Sequence, residues 1–142
     1  MPKDNVVSWN VIISGYVSNG VYFKAIDIFW RMRDSGVQPD IISFASILSA
    51  CSQFTVLEQG REIHSYISNH KLESSEVIMG ALLDMYAKCG AVEEARHVFY
   101  RLQVRDIVSW TSMIMAYRVQ VCNLWSSRTN AREYLHYLGV SA

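Results

Sequence analysis

The sequence has no surplus of charge of either sign: thirteen lysines and arginines balance thirteen aspartates and glutamates over 142 residues. No whole-molecule field can therefore draw in nucleic acid or an acidic surface, and any such binding has to come from local arrangement. Cysteine is scarce. Cys51, Cys89 and Cys122 are odd in number and contain no close pair, which argues against a disulfide framework and a Cys-x-x-Cys metal site and leaves reduced, mostly buried thiols as the expectation. No stretch approaches about 18 uninterrupted apolar residues, so no membrane span is expected. The N-terminus lacks both a secretory apolar block and the arginine-rich, acid-poor character of a transit peptide. Chemistry is missing too. There is no phosphate-cradling glycine loop and no nucleophile elbow. His64, His70, His97 and His136 make no i, i+4 pair with a third ligand, and they are expected at the surface or in a groove. No catalytic residue, metal, cofactor or small-molecule substrate is expected.

What is present is a core and a period. Hydrophobic residues make up 51% of the chain, enough for an ordinary domain. The phrase from Ser8 to Tyr16, with Trp9 and Ile13, returns from Ser109 to Tyr117, and two further copies lie between, at offsets of 35, 35 and 31. Ile12, Ile47, Leu82 and Met113 correspond, as do Ile13, Leu48, Leu83 and Ile114. Later in each unit Ala25, Gly60 and Ala95 precede Ile28, Ile63 and Val98 by three residues. A small side chain followed one turn on by an aliphatic one suits a helix whose neighbour approaches closely. Trp9, Tyr16, Tyr86, Trp110 and Tyr117 also fall at recurring sites, where core packing is expected of them.

Each unit carries its own punctuation. Gly20 and Gly90 can take the left-handed conformation that ends a helix, while the second copy has Phe54-Thr55 there, a weaker stop. Gly36 and Pro39 close the first unit. The reading is all-α, with helices near Ser8–Asn19, Tyr22–Ser35, Ser43–Ser52, Val56–Asn69, Ser75–Lys88, Ala91–Leu102 and Val108–Val119. A hairpin of this size cannot bury its apolar stripe alone, so such units stack into an α-solenoid.

Whole phrases go further than the period. Val7-Ser8-Trp9-Asn10, Ser14-Gly15-Tyr16, Met32 through Asp40, and Asp84-Met85-Tyr86-Ala87-Lys88-Cys89-Gly90 resemble the plant pentatricopeptide repeat family. The unit lengths resemble its branch of alternating ordinary, long and short repeats. On that resemblance residues 6–40 form an ordinary unit, 41–75 a long one and 76–106 a short one. Residues 1–5 end a preceding unit and 107–117 begin another. The segment 118–142 departs from the pattern. Asn130 to Leu138 is compatible with an amphipathic helix capping the stack; the alternative is a truncated or misread gene model, with the chain a fragment.

The resemblance implies a right-handed solenoid of helix-turn-helix hairpins that binds single-stranded RNA, one base per repeat, in a mitochondrion or chloroplast. A catalytic editing or processing protein would be its partner. The zinc deaminase tail of some relatives, His-x-Glu followed by Cys-x-x-Cys, does not occur in this sequence. Base-packing positions fall on Val7, Ile42, Val77 and Val108, and base-reading positions on Asn10 with Asp40, Gly80 with Asp106, and Thr111. The pair Asn10 and Asp40 implies a pyrimidine, uracil preferred, and Thr111 a purine; the long unit offers Ala45 and Ser75, and alanine reads no edge. Lys88 stands where the family places a lysine near the RNA backbone, against uncharged Ser18, Gln53 and Val119 elsewhere. With one such lysine, binding by this chain alone is expected to be weak. The same residues have plainer readings: the aliphatic side chains can serve hairpin packing, and Asn10 and Asp40 can cap helices. A protein-interaction solenoid, or a piece without independent function, are the competing conclusions.

Overall fold

The computed structural model describes residues 5–128 and Gly139. Seven helices follow in order: α1 Val6–Ser18, α2 Tyr22–Asp34, α3 Ile41–Phe54, α4 Leu57–Asn69, α5 Glu76–Lys88, α6 Val92–Arg101 and α7 Ile107–Arg128. No strand occurs among the described residues, and no described helix is long and apolar enough to cross a membrane. The architecture is a solenoid of helical hairpins.

The turns repeat a single hydrogen-bonding solution. In the first hairpin the Val21 N–H donates to the Tyr16 carbonyl and Gly20 to Val17, and in the third Ala91 donates to Tyr86 and Gly90 to Ala87. These are 6→1 closures that satisfy orphan carbonyls at a helix end. Gly20 and Gly90 supply the positive φ, +75° and +73°. The second hairpin makes the same closure, Val56 to Cys51, although no glycine is present. Thr55 takes φ +51° instead, a conformation that strains a β-branched residue by about 1–2 kcal/mol. The weak stop read at Phe54-Thr55 is therefore a full turn, held by its neighbours.

The backbones of α1, α3, α5 and α7 pack directly on one another in sequence. The second helices reach each other through long side chains: Phe29 and Trp30 of α2 meet Tyr66 of α4 edge-on, and Arg61 of α4 pairs with Glu94 of α6 at 2.7 Å. Close packing in one layer and spread in the other place the first helices along the inner face. One continuous core runs between the layers, with Ala25, Ala95, Ile63, Phe29 and Phe44 fully or almost fully buried. At Gly60 an added Cβ would lie 2.5 Å from the Met85 sulfur on α5, so the end of the Met85 side chain would have to move.

The fourth unit departs from expectation. No turn interrupts α7 near Val119. With neither glycine nor proline between Val119 and Arg128 to stop it, the helix runs on for about two and a half more turns, against the α5–α6 turn. An added Cβ on Gly90 would stand 2.9 Å from Val119. Because α7 has no second helix folded back on it within residues 107–128, Trp110 and Tyr117 are 56% and 44% exposed. They do not fill a core as Trp9 and Tyr86 do. Trp110 keeps an edge contact with Phe99, and the Tyr117 hydroxyl accepts from Arg96 at 2.6 Å. The helix expected from Asn130 to Leu138 lies outside the described residues.

All three thiols are free, but only Cys51 is fully buried; Cys89 is half-buried and Cys122 exposed. Burial pushes the Cys51 thiol up to about 12, so its reactive thiolate is suppressed. A native-state titration with a chromogenic disulfide should modify Cys122 first and Cys89 slowly, with Cys51 reacting only on unfolding. Fast labelling of Cys51 in the folded chain would contradict this packing.

Candidate nucleic-acid interface

Each first helix of a hairpin starts on a side-chain cap. Asn5 accepts from the Val7 N–H, Asp40 from Ser43, Ser75 from Ile78, and Asp106 from Ser109. The residue preceding each first helix is thus its N-cap. At α3 the cap is reciprocal: the Asp40 carboxylate accepts from the Ser43 N–H at 3.0 Å, and the Asp40 N–H donates to the Ser43 hydroxyl at 3.1 Å.

Asn10 does not cap anything. It sits in the middle of α1, 6% exposed, and reaches across the hairpin junction. Its Nδ2 donates to Asp40 Oδ1 at 2.9 Å, and its Oδ1 accepts from the Ser43 hydroxyl. The capping reading therefore holds for Asp40 and fails for Asn10, whose amide is oriented by a carboxylate and a hydroxyl together. Each amide atom keeps one unused hydrogen-bonding direction. Burial raises the Asp40 pKa, but the hydrogen bonds from the Ser43 backbone, from Asn10 and from the Ser43 hydroxyl, whose single proton is shared with Asn10, outweigh it and hold the carboxyl below its ordinary 3.8. Ser43 did not stand out in the sequence, though its three-residue spacing from Asp40 is the signature of such a cap.

Above this cluster opens a groove of about 360 Å³, lined by Val7, Asn10, Val11, Ser14, Asp40 and Ile42. Val7 and Ile42 are 62% and 59% exposed, so hairpin packing does not consume them. Val77 and Val108 recur on α5 and α7 with 55% and 71% exposure. Four aliphatic side chains thus stand open at equivalent sites along the first helices.

The remaining positions are less complete. Ala45 brings no polar atom, and Ser75 is engaged as a cap. Gly80 is exposed with open space around it. Asp106 is held below its ordinary pKa by the Ser109 backbone and hydroxyl. The Thr111 hydroxyl donates back to the Ile107 carbonyl at 2.7 Å. Lys88 is exposed but pairs with Asp84 one turn earlier, at 3.2 Å, which takes away part of its pull on a phosphate. Among the described residues no group of three or more His, Cys, Asp or Glu side chains is placed to hold a metal ion. His97 and His70 are exposed, the latter stacked on Tyr66, and His64 is half-buried against the Tyr86 hydroxyl.

A model of the PPR repeat family matches residues 4–53, and a PPR repeat model matches residues 77–107. Among curated proteins of Arabidopsis thaliana, the pentatricopeptide repeat-containing protein At5g27110 is 50% identical over 81% of this chain. The chloroplastic At4g35130 is 44% identical over 84%, and the mitochondrial At3g09040 is 42% identical over 82%. The chain spans only 17%, 15% and 11% of the lengths of these three relatives.

Proposed function

The chain belongs to the pentatricopeptide repeat family, and we propose that it holds single-stranded RNA along the inner face of α1, α3, α5 and α7, one base to each junction between hairpins. In this reading Val7 and Ile42 flank the first base, and Asn10, held by Asp40, meets the edge of a pyrimidine, uracil preferred. Val77 and Val108 flank further bases, with Gly80, Asp106 and Thr111 at their edges and Lys88 beside the backbone. Its target is an organellar RNA, in keeping with the chloroplastic and mitochondrial relatives. Its use is in RNA editing or processing, with the chemistry supplied by a partner.

The observation that carries the reading is the bond between Asn10 and Asp40. Two side chains thirty residues apart meet at 2.9 Å at the floor of a groove walled by exposed valine and isoleucine. A buried amide whose orientation is fixed on two sides costs little further ordering when a base arrives. Base readout then follows from its free acceptor and donor, which match the N3 proton and a carbonyl of uracil.

Asn10→Thr is the decisive variant. Titrated with short oligomers of U, C, A and G at constant salt, the wild-type chain should bind weakly, in the micromolar range or above, and favour U. The threonine variant should shift preference toward purines. An unchanged ranking among the four oligomers would remove the base-reading role of Asn10.

A second reading is protein docking on the outer face. The groove between α2 and α4, about 510 Å³ and lined by Trp30, Arg33, Glu62 and Tyr66 among others, favours it. There Arg33 lies over the Trp30 ring at 4.5 Å.

A further inference from the structure

Beside the groove at Val7 and Ile42 lies a second one. It is a concavity of about 460 Å³ farther along the same two helices, lined chiefly by Ser14 and Ser18 of α1 and by Ser46, Ser49 and Gln53 of α3. Ser14 borders both spaces. Asn10, Ser14 and Ser18 follow at four-residue steps, about 6 Å apiece along the helix. The chemistry changes over that distance from aliphatic walls around one amide to a run of hydroxyls.

No ionisable side chain lines the second stretch. Ser14 Oγ and Ser46 Oγ face each other across the helix pair at 3.3 Å, beyond the usual 2.5–3.0 Å for paired hydroxyls, so they are loosely satisfied and free to re-pair. The next groove is different. Asp84 occupies the position equivalent to Ser14 and Ser49; it accepts from Ser52 at 3.3 Å and pairs with Lys88. A neutral, hydroxyl-lined groove therefore lies beside one that carries a fixed ion pair.

A phosphate gains no compensating charge in the neutral groove, and an apolar side chain would leave its hydroxyls unpaired. A ribose suits it, because a 2′-hydroxyl donates and accepts as serine does. Resting on the RNA reading above, we infer that Ser14, Ser46 and Ser49 form a ribose subsite. It engages the 2′-hydroxyl of the nucleotide in the first slot and makes the chain prefer RNA over DNA of the same base sequence.

The test is a comparison of oligouridylate with oligo-2′-deoxyuridylate, which differ only in that hydroxyl, by NMR titration of the full chain. The wild type should bind the ribo-oligomer about three- to ten-fold more tightly, the range of one to two neutral hydrogen bonds. The double variant Ser14→Ala/Ser46→Ala should bring the ratio near one while keeping uridine ahead of adenosine. Alanine at these half-buried helical sites favours the helix, so folding is retained. Asn10→Ala should weaken both oligomers alike. A wild-type ratio of one, or a ratio the serine variant leaves unchanged, overturns the subsite while the RNA reading stands. Binding of neither oligomer at millimolar concentration overturns both.

Discussion

Asp40→Ala should lower the unfolding free energy by about 2–3 kcal/mol and abolish base preference in the first slot. Loss of the N-cap alone costs about 1 kcal/mol, and the Asn10 amide left without its acceptor adds a penalty of comparable or larger size. Asp40→Asn separates the two effects. Asparagine caps as well as aspartate and its Oδ1 can accept from Ser43 and Asn10, so stability should return to within about 0.5–1 kcal/mol of wild type. The charge-assisted grip on Asn10 would be weaker, and uridine preference reduced.

Acid extends the test. The folded carboxyl lies below its ordinary 3.8, so the stability it contributes is fully present above that value and is lost as pH falls through the lower, folded one. The gap between wild type and Asp40→Asn should therefore shrink on acidification below about pH 4. Urea denaturation at neutral and acidic pH measures both. An alanine variant as stable as wild type would mean that the bonds joining α1 to α3 contribute nothing.

Phe29→Ala should be the most damaging single change, at about 3–5 kcal/mol for a fully buried aromatic side chain. Phe29 meets Phe44 of α3 at 5.6 Å, Tyr66 of α4 at 6.4 Å and its neighbour Trp30 at 5.0 Å. It holds the first hairpin on the second. In a solenoid stability is carried by nearest neighbours, so the loss should be local: α1 and α2 open while α5 and α6 keep their protection in hydrogen exchange. Phe99→Ala, in the third hairpin, should do the reverse and leave the Asn10–Asp40 junction closed. Uniform loss of protection in both variants would show one cooperative unit instead.

The contrast between these residues shows what the sequence makes legible. Hairpins can be read from it because the need for close approach repeats: Ala25, Gly60 and Ala95 are small for the same reason, and a repeated cause leaves a repeated mark. The aliphatic row at Val7, Ile42, Val77 and Val108 is legible on the same ground. Ser43 is legible only in part: its spacing from Asp40 marks the cap, but its bond to Asn10, thirty-three residues away, is recorded by no local pattern. The neutralising pair of Lys88 with Asp84 is legible in the sequence, since i, i+4 spacing places the two side chains on one helix face. The length of α7 was hidden by the repeat itself, which set a stop near Val119 where the local residues supply none. The burial expected for Trp110 and Tyr117 failed through the same equivalence, because the helix that would cover them has no counterpart among residues 107–128.

Asn5, Asp40, Ser75 and Asp106 each start a helix as well as ending a unit. A side chain with that duty has a short alphabet: asparagine, aspartate, serine and threonine start helices well, and most other choices forfeit about 1 kcal/mol at every junction. On the proposed reading, changing base choice through this position is thereby confined to those residues and glycine, and a long array multiplies the penalty for leaving them. In that reading the wider vocabulary belongs to the site Asn10 occupies, in mid-helix, where no cap is at stake and a substitution gives up only the bonds to Asp40 and Ser43.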